Sequence, residues 1–339
     1  MRRRHGSGHT GLSDISNDRR RREPCCSKFR MKILLGIDGS RYSLAATRFV
    51  GEYLAQPRRH VDLLHVLPLR TEPGAEPPRR QPERLRIPAA PRSWLEQAEK
   101  RLQARGLVTE RRVRRGIPTL VLTQVAEEGG YDLVVLGAKG RSDVPFLHLG
   151  SVAMAALSQH TSADVLLVRE RELGRKKQLT KAIRPFTVLF ATDGSARIEA
   201  AAEHFHRFFD IPHVQLVAVA VAELPEPAVL RRMDRKDRQR FVRHIVQTAA
   251  RWARGAKPFL ARPGIRPQAR VLRGRAPQAI IEEAERTKAR LIVLASRGVL
   301  SPVEAPLGST ALQIARLAPC SVLVVRPWVT GAVGEAAPD

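Results

Sequence analysis

The sequence predicts an α/β protein built from two copies of one doubly wound domain, each a five-stranded parallel sheet with helices on both faces. Three observations predict this. An apolar run ending in Asp-Gly-Ser occurs twice, at 32–40 and 187–195, 155 residues apart. Two further strand-like segments recur in the same order: 131–137 with 289–295, and 164–169 with 321–326, at offsets of 158 and 157. Within each copy, apolar runs of strand length alternate with segments of helical period. That alternation is the signature of parallel strands joined by right-handed helical crossovers.

Each element has its own justification. Residues 33–37 are continuously apolar, as in a strand buried on both faces. Ala45, Ala46, Phe49, Val50, Tyr53 and Leu54 then recur at helical spacing, as do Ile198, Ala201, Ala202, Phe205, Phe208 and Phe209 in the second copy. Second strands are expected at 61–67 and 214–221, second helices at 92–104 and around 237–252, and third strands at 108–113 and 268–272. Each third strand runs into a glycine, Gly116 or Gly274, followed by Pro118 or Pro277. Proline suits the first turn of a helix, where its missing N–H costs nothing. A third helix, fourth strand, fourth helix and fifth strand close each copy. The fifth strands, at 164–169 and 321–326, are apolar and β-branched.

The expected organisation is a disordered basic tail at 1–30, a first domain at 31–169, a basic linker at 170–185, a second domain at 186–326 and a tail at 327–339. Met31 stands where the first strand begins and is a candidate translation start. Residues 70–92 carry six prolines and read as a surface excursion.

Composition bounds the function. The chain has 339 residues, enough for two domains, with 43% apolar and 27% charged residues. No apolar stretch approaches the roughly 18 residues that span a bilayer, and the N-terminus lacks the apolar region of a signal peptide. Three cysteines cannot build a disulfide framework. Cys25 and Cys26 sit in the polar tail and Cys320 in an apolar run, a reducing-compartment pattern that points to the cytoplasm. His5, His9, Cys25 and Cys26 match no zinc spacing. The net charge is +26, from 59 basic and 33 acidic residues. Such a balance favours polyanions, but the charge is spread through tail, loops and helices, so nucleic acid is not expected to be the main partner.

The site signal is one spacing seen twice. After the fourth strand comes Gly137-Ala-Lys139-Gly140, nine residues, then Gly150-Ser151: G-x2-G-x9-G-S. The second copy reads Ala295-Ser-Arg297-Gly298, nine residues, then Gly308-Ser309. The first positions lie at the carboxyl end of a parallel strand, where open α/β sheets bind ligands. The last open a helix, whose free N–H groups and dipole favour phosphate. Serine there can cap the helix or donate to a phosphate oxygen.

These residues resemble the universal stress protein family, specifically its tandem-domain members, over most of residues 31–326. The resemblance implies an adenine nucleotide α-hydrolase-like fold whose fifth strands pair two domains back to back. In a tandem chain that pairing would form an internal pseudo-dimer and remove two exposed edges; a homodimer of the whole chain is left open. The resemblance also implies ATP, with magnesium as a companion ion, between strands one and four. It places Asp38 and Val66 against adenine, Gly137 by the ribose, and Gly140, Gly150 and Ser151 on the phosphates. The matching positions in the second copy are Asp193, Val219, Ala295, Gly298, Gly308 and Ser309. Lys139, Arg141 and Arg297 border the same loops and can add charge to phosphate contacts. The bland alternatives stay open. Asp38 and Asp193 can organise the Asp-Gly-Ser turn and cap a helix, and the glycines can serve tight turns and helix packing. Ala295, with Glu304, Pro302 and Pro306 in its loop, makes the second copy the weaker nucleotide site, and Asp143 and His148 raise a milder doubt in the first. His65 and the Phe205, Phe208, Phe209 set read as core.

No Ser-His-Asp nucleophile elbow and no P-loop lysine motif is present. The expected protein is therefore a nucleotide-binding sensor or regulator and not an enzyme beyond slow ATP hydrolysis. The alternatives are an interaction module that binds no nucleotide and, behind it, a nonspecific nucleic-acid binder.

Overall fold

The computed structural model describes residues 31–57, 59–68, 87–141, 149–158, 162–169, 185–211, 213–298 and 307–326. The tails, nearly all of the linker, most of the proline-rich excursion, and Asp143, His148, Pro302, Glu304 and Pro306 lie outside the described residues, as do His5, His9, Cys25 and Cys26.

The first repeat runs β1 (Lys32–Gly36), α1 (Arg41–Tyr53), β2 (His60–Leu67), α2 (Ala89–Gln103), β3 (Val108–Arg115), α3 (Pro118–Glu128), β4 (Leu133–Gly137), α4 (Ser151–Ser158) and β5 (Asp164–Val168). The second runs β6 (Phe186–Ala191), α5 (Arg197–Phe208), β7 (Val214–Ala222), α6 (Pro227–Arg231), α7 (Arg235–Leu260), β8 (Gln268–Arg273), α8 (Ala276–Thr287), β9 (Leu291–Ala295), α9 (Ser309–Leu317) and β10 (Ser321–Val325). Pro118 and Pro277 both stand in the first turn of their helices. Helix α7 outruns the expected 237–252 because buried Ala253, Ala256 and Leu260 continue its inner face, with Pro258 tolerated in the last turn.

All strands share one ten-stranded sheet, ordered β3-β2-β1-β4-β5-β10-β9-β6-β7-β8. Pairing is parallel within each repeat and antiparallel only between β5 and β10, where Val322, Leu323 and Val324 face Leu167, Leu166 and Val165. In both repeats the first and fourth strands are neighbours from which the chain winds in opposite directions. That is the switch point at which a crevice opens past the carboxyl ends of the strands.

One core layer lies under α1, α2, α5 and α7, and the other under α3, α4, α8 and α9. The first layer is continuous across the repeats. Phe49 and Tyr53 of α1 meet Phe186 of β6 at ring separations of 6.4 and 4.7 Å, and Phe49 meets Phe209 at 6.2 Å. Phe205, Phe208 and Phe209 are all buried, as is Cys320.

Polar ties between the repeats are reciprocal. Arg169, after β5, donates to Ala315 O at 2.6 Å and Arg316 O at 2.9 Å, near the end of α9. Arg326, after β10, donates to Ala156 O and Leu157 O at 2.6 and 3.0 Å, near the end of α4. Each cation thus meets helix carbonyls that lack intrahelical partners. Buried Arg59 donates to Leu54 O, Phe208 O and Arg207 O. Burial, then Arg207, lowers its pKa to about 10, which leaves it charged at neutral pH. Asp164 accepts from Arg326 N at 2.7 Å and from His204 Nδ1 at 2.6 Å.

Candidate functional site

The Asp-Gly-Ser turn after β1 is built by its own side chains. Asp38 Oδ1 accepts from Ser40 N at 2.9 Å, and Ser40 Oγ accepts from Ser43 N at 3.1 Å. The aspartate therefore shapes the turn while the serine caps α1. Gly39 has φ +79°, and a Cβ there would lie 2.3 Å from Trp94 of α2. The second repeat copies this turn, with Asp193 Oδ1 accepting from Ser195 N at 3.1 Å and Gly194 at φ +83° against Trp252 of α7.

The glycine loops close in the same way in both repeats. Gly150 N donates to Ala138 O at 2.8 Å, and Gly308 N donates to Ser296 O at 2.7 Å. Gly150 O and Gly308 O then accept the first α-helical bonds of α4 and α9, from Met154 N and Leu312 N. Ser151 and Ser309 are thus the first helical residues and are exposed. Gly308 is the cap of α9 and no side chain caps it.

Testing each glycine with an added Cβ separates packing from spare room. At Gly137 the atom would lie 2.6 Å from Tyr42 Cβ and 2.7 Å from the Tyr42 carbonyl carbon. The close approach of α1 therefore by itself requires glycine at 137. At Gly140 the nearest atom is Asp38 Oδ2 at 3.2 Å. At Gly150 the nearest are Gly140 N at 3.4 Å and Lys139 Cα at 3.5 Å, ordinary contacts, and the residue is outside the positive-φ set. Neither backbone angle nor crowding explains Gly150. An added Cβ would touch the backbone of Lys139 and Gly140, just past the carboxyl end of β4, the strand end at which open α/β sheets bind ligands.

The second cleft differs in two ways. Ala295 carries the methyl that Gly137 lacks, and α5 begins one residue later in the repeat than α1, with Ala196 as a cap that makes no side-chain bond. Gly298 is crowded more tightly than Gly140, with Asp193 Oδ2 2.6 Å from its added Cβ.

Strand register corrects one correspondence. Leu64 pairs with Gly36, and Val219 pairs with Ala191, the residue 155 positions after Gly36. Val219 is therefore the counterpart of Leu64 and is fully buried, and Val221 is the counterpart of Val66. Continuing the register sets Val66 level with Asp38 and Val221 level with Asp193. Both valines are half-buried.

Two participants escaped the sequence reading. Trp94 touches the turn after β1, meets His65 of β2 edge-on at 5.8 Å and lies under Arg141 at 5.5 Å. It thereby links three strand ends at the crevice and holds Arg141 by a cation–π contact. Trp252 takes the matching place in the second repeat. The available signal was their spacing of 158 residues, the same as between the fourth strands. His65 is a buried core residue whose Nδ1 lies 2.6 Å from Ile37 O; a carbonyl only accepts, so Nδ1 carries the hydrogen. Arg297 follows β9 beside Gly298, at the place in the repeat that Lys139 takes after β4.

Among the described residues, no three His, Cys, Asp or Glu side chains converge as a metal site, and no helix is long and apolar enough to cross a membrane.

The profile of the universal stress protein family matches residues 30–169 and 186–326. Among solved structures, a universal stress protein from Archaeoglobus fulgidus DSM 4304 superposes with a TM-score of 0.50 at 20% identity, covering 87% of this chain and 96% of that one. A putative universal stress protein from Pseudomonas aeruginosa UCBPP-PA14 gives 0.52 at 15% identity, covering 88% and 94%. These two likenesses concern the fold. No curated protein matches the chain. Two profile matches, on two repeats with the same strand order and the same glycine-loop closure, make the chain a tandem-domain member of the universal stress protein family.

Proposed function

We propose that the protein binds ATP or a related adenine nucleotide in the β1/β4 crevice of the first repeat and acts as a stress-response sensor or regulator. One observation carries the reading. Gly150 has neither a positive φ nor a crowded Cβ position, and it stands at the opening of α4, where a phosphate would meet backbone N–H groups and a helix N-terminus together. Asp38, Val66, Lys139, Gly140, Arg141 and Ser151 would complete the site, with magnesium arriving on the nucleotide. The phosphates would meet the opening of α4, and Arg141, steadied by Trp94, would add charge. Family membership supports the stress-response role.

The second repeat is the lesser nucleotide site, because its cleft carries the Ala295 methyl and the closer Asp193–Gly298 approach. The reading assigns no catalytic group. It places the protein in the cytoplasm, consistent with the sparse cysteines.

The test is calorimetric titration of the full chain with magnesium–ATP at physiological salt, on wild type and Gly150→Ala. Saturable binding weakened about tenfold or more by one methyl, with the melting temperature held, supports the reading. Absence of saturable binding removes it and leaves an interaction module.

A further inference from the structure

Helix α7 carries a feature that the nucleotide crevice does not use. Between Arg235 and Leu260 it holds eight Lys or Arg side chains and one carboxylate, Asp237. At about 100° per residue, Lys236, Arg240, Arg243, Arg251, Arg254 and Lys257 fall within roughly 120° of arc. All six are exposed. The row from Lys236 to Lys257 is about 32 Å long at 1.5 Å per residue. The opposite face, with Ala249, Ala253, Ala256 and Leu260, is buried, and Ala249 and Ala253 pack with Ala220 and Ala222 of β7. Among the described residues, the row's one ion pair is Arg240–Asp237, at 3.9 Å between two largely exposed side chains. Such a pair neutralises little.

We infer that this row is a docking surface for the phosphate backbone of a double-stranded nucleic acid. Charge complementarity calls for a polyanion long enough to meet cations spread along about six helical turns. A membrane surface fits poorly, because a helix lying in a bilayer interface needs its apolar face for the lipid, and the sheet already covers that of α7. A single strand fits poorly as well. Its binding grooves interleave cations with stacking aromatics, whereas Trp252 and Phe259 lie roughly 80° or more outside the basic arc. The counterpart helix α2 lacks the row: Glu96 and Glu99 stand among its few cations, and both lie within 3.5 Å of Arg111. Sequence composition showed the charge but not its phase, so the expectation of evenly spread charge gives way here to one ordered row.

The experiment is fluorescence anisotropy of a random-sequence 25-base-pair DNA duplex with the full chain, across roughly 50 to 200 mM salt. The variant Arg243→Gln/Arg251→Gln/Arg254→Gln changes exposed side chains only. It is expected to weaken binding by about tenfold or more near 100 mM salt. It should also flatten the log K against log salt slope by up to about 2.7, at about 0.9 for each phosphate that is no longer neutralised. A control, Arg92→Gln/Arg114→Gln/Arg115→Gln, removes the same charge from the start of α2 and the end of β3 and should leave the slope nearly unchanged. The basic tail is common to all three proteins and cancels. Equal losses in both variants would mean diffuse charge and overturn the inference. So would absence of duplex binding, or binding to phosphatidylserine vesicles in preference to the duplex.

Discussion

Replacing Gly137 with alanine tests how the first crevice is built. The new methyl would sit 2.6 Å from Tyr42 Cβ and 2.7 Å from the Tyr42 carbonyl carbon, whereas carbon pairs rest at about 3.5–4.0 Å. The first turn of α1 must retreat by roughly 1 Å, and overpacking of this kind costs about 1–3 kcal/mol. The second repeat shows the form of the retreat. With Ala295 in place, α5 starts one residue later and no side chain caps it. If α1 follows, the Ser40–Ser43 cap bond is lost as well, worth about 1 kcal/mol. The total of about 2–4 kcal/mol, at about 2–4 °C per kcal/mol, should lower the melting temperature by roughly 4–16 °C. The assay is a far-ultraviolet circular dichroism melt with and without magnesium–ATP. An unchanged melting temperature together with lost ATP affinity would refute the packing argument, since the glycine would then be serving the ligand.

Trp94 sits on Gly39 and under Arg141, so ATP in the first crevice should change tryptophan emission, and Trp94→Phe should abolish most of that change. If the signal survives Trp94→Phe and disappears in Trp252→Phe, the second crevice is the working one. At the junction of the repeats, burial lowers the His204 pKa, but the hydrogen bond and charge of Asp164 outweigh it and the net shift is upward. Burial raises the pKa of Asp164 against the opposing pull of His204. Both shifts mean that the folded state holds protons more tightly than the unfolded one. The stability from His204 is therefore full below a pH of about 6.5 and is lost as pH rises through its higher folded value. Denaturant unfolding should show wild type losing stability above about pH 6.5 and the double variant Asp164→Asn/His204→Gln losing much less. The single variant His204→Gln should be destabilising at neutral pH, because it removes the cationic side-chain partner of a buried carboxylate and leaves it the Arg326 N–H.

The repeat, the element order and the glycine-loop positions were legible because each rests on local pattern: apolar runs, helical period, and proline after glycine. What escaped depends on register or on phase. Val219 was matched to Val66 by similarity of run, and only the pairing of Ala191 with Val219 shows that Val221 belongs there. Trp94 and Trp252 lie on the second helices, far in sequence from the turns they touch, so their contact with the Asp-Gly-Ser turns waited for the fold. The cap came from Ser40 and not Asp38 because both side chains can bond nearby N–H groups, and the turn decides between them. Gly137 and Gly150 look equivalent in a motif. They separate only when the atoms around each are known: Gly137 is pressed against the backbone of α1, and Gly150 is in ordinary contact with the backbone of Lys139 and Gly140.

The central claim is that Gly150 marks a nucleotide crevice in the first repeat. Calorimetry of the full chain with magnesium–ATP, run in parallel on wild type and Gly150→Ala, tests it most directly. The account predicts saturable binding in wild type, weakened about tenfold or more in the variant, and a folding stability that changes by less than about 1 kcal/mol. Equal affinity in both proteins, or no saturable binding in either, would contradict it.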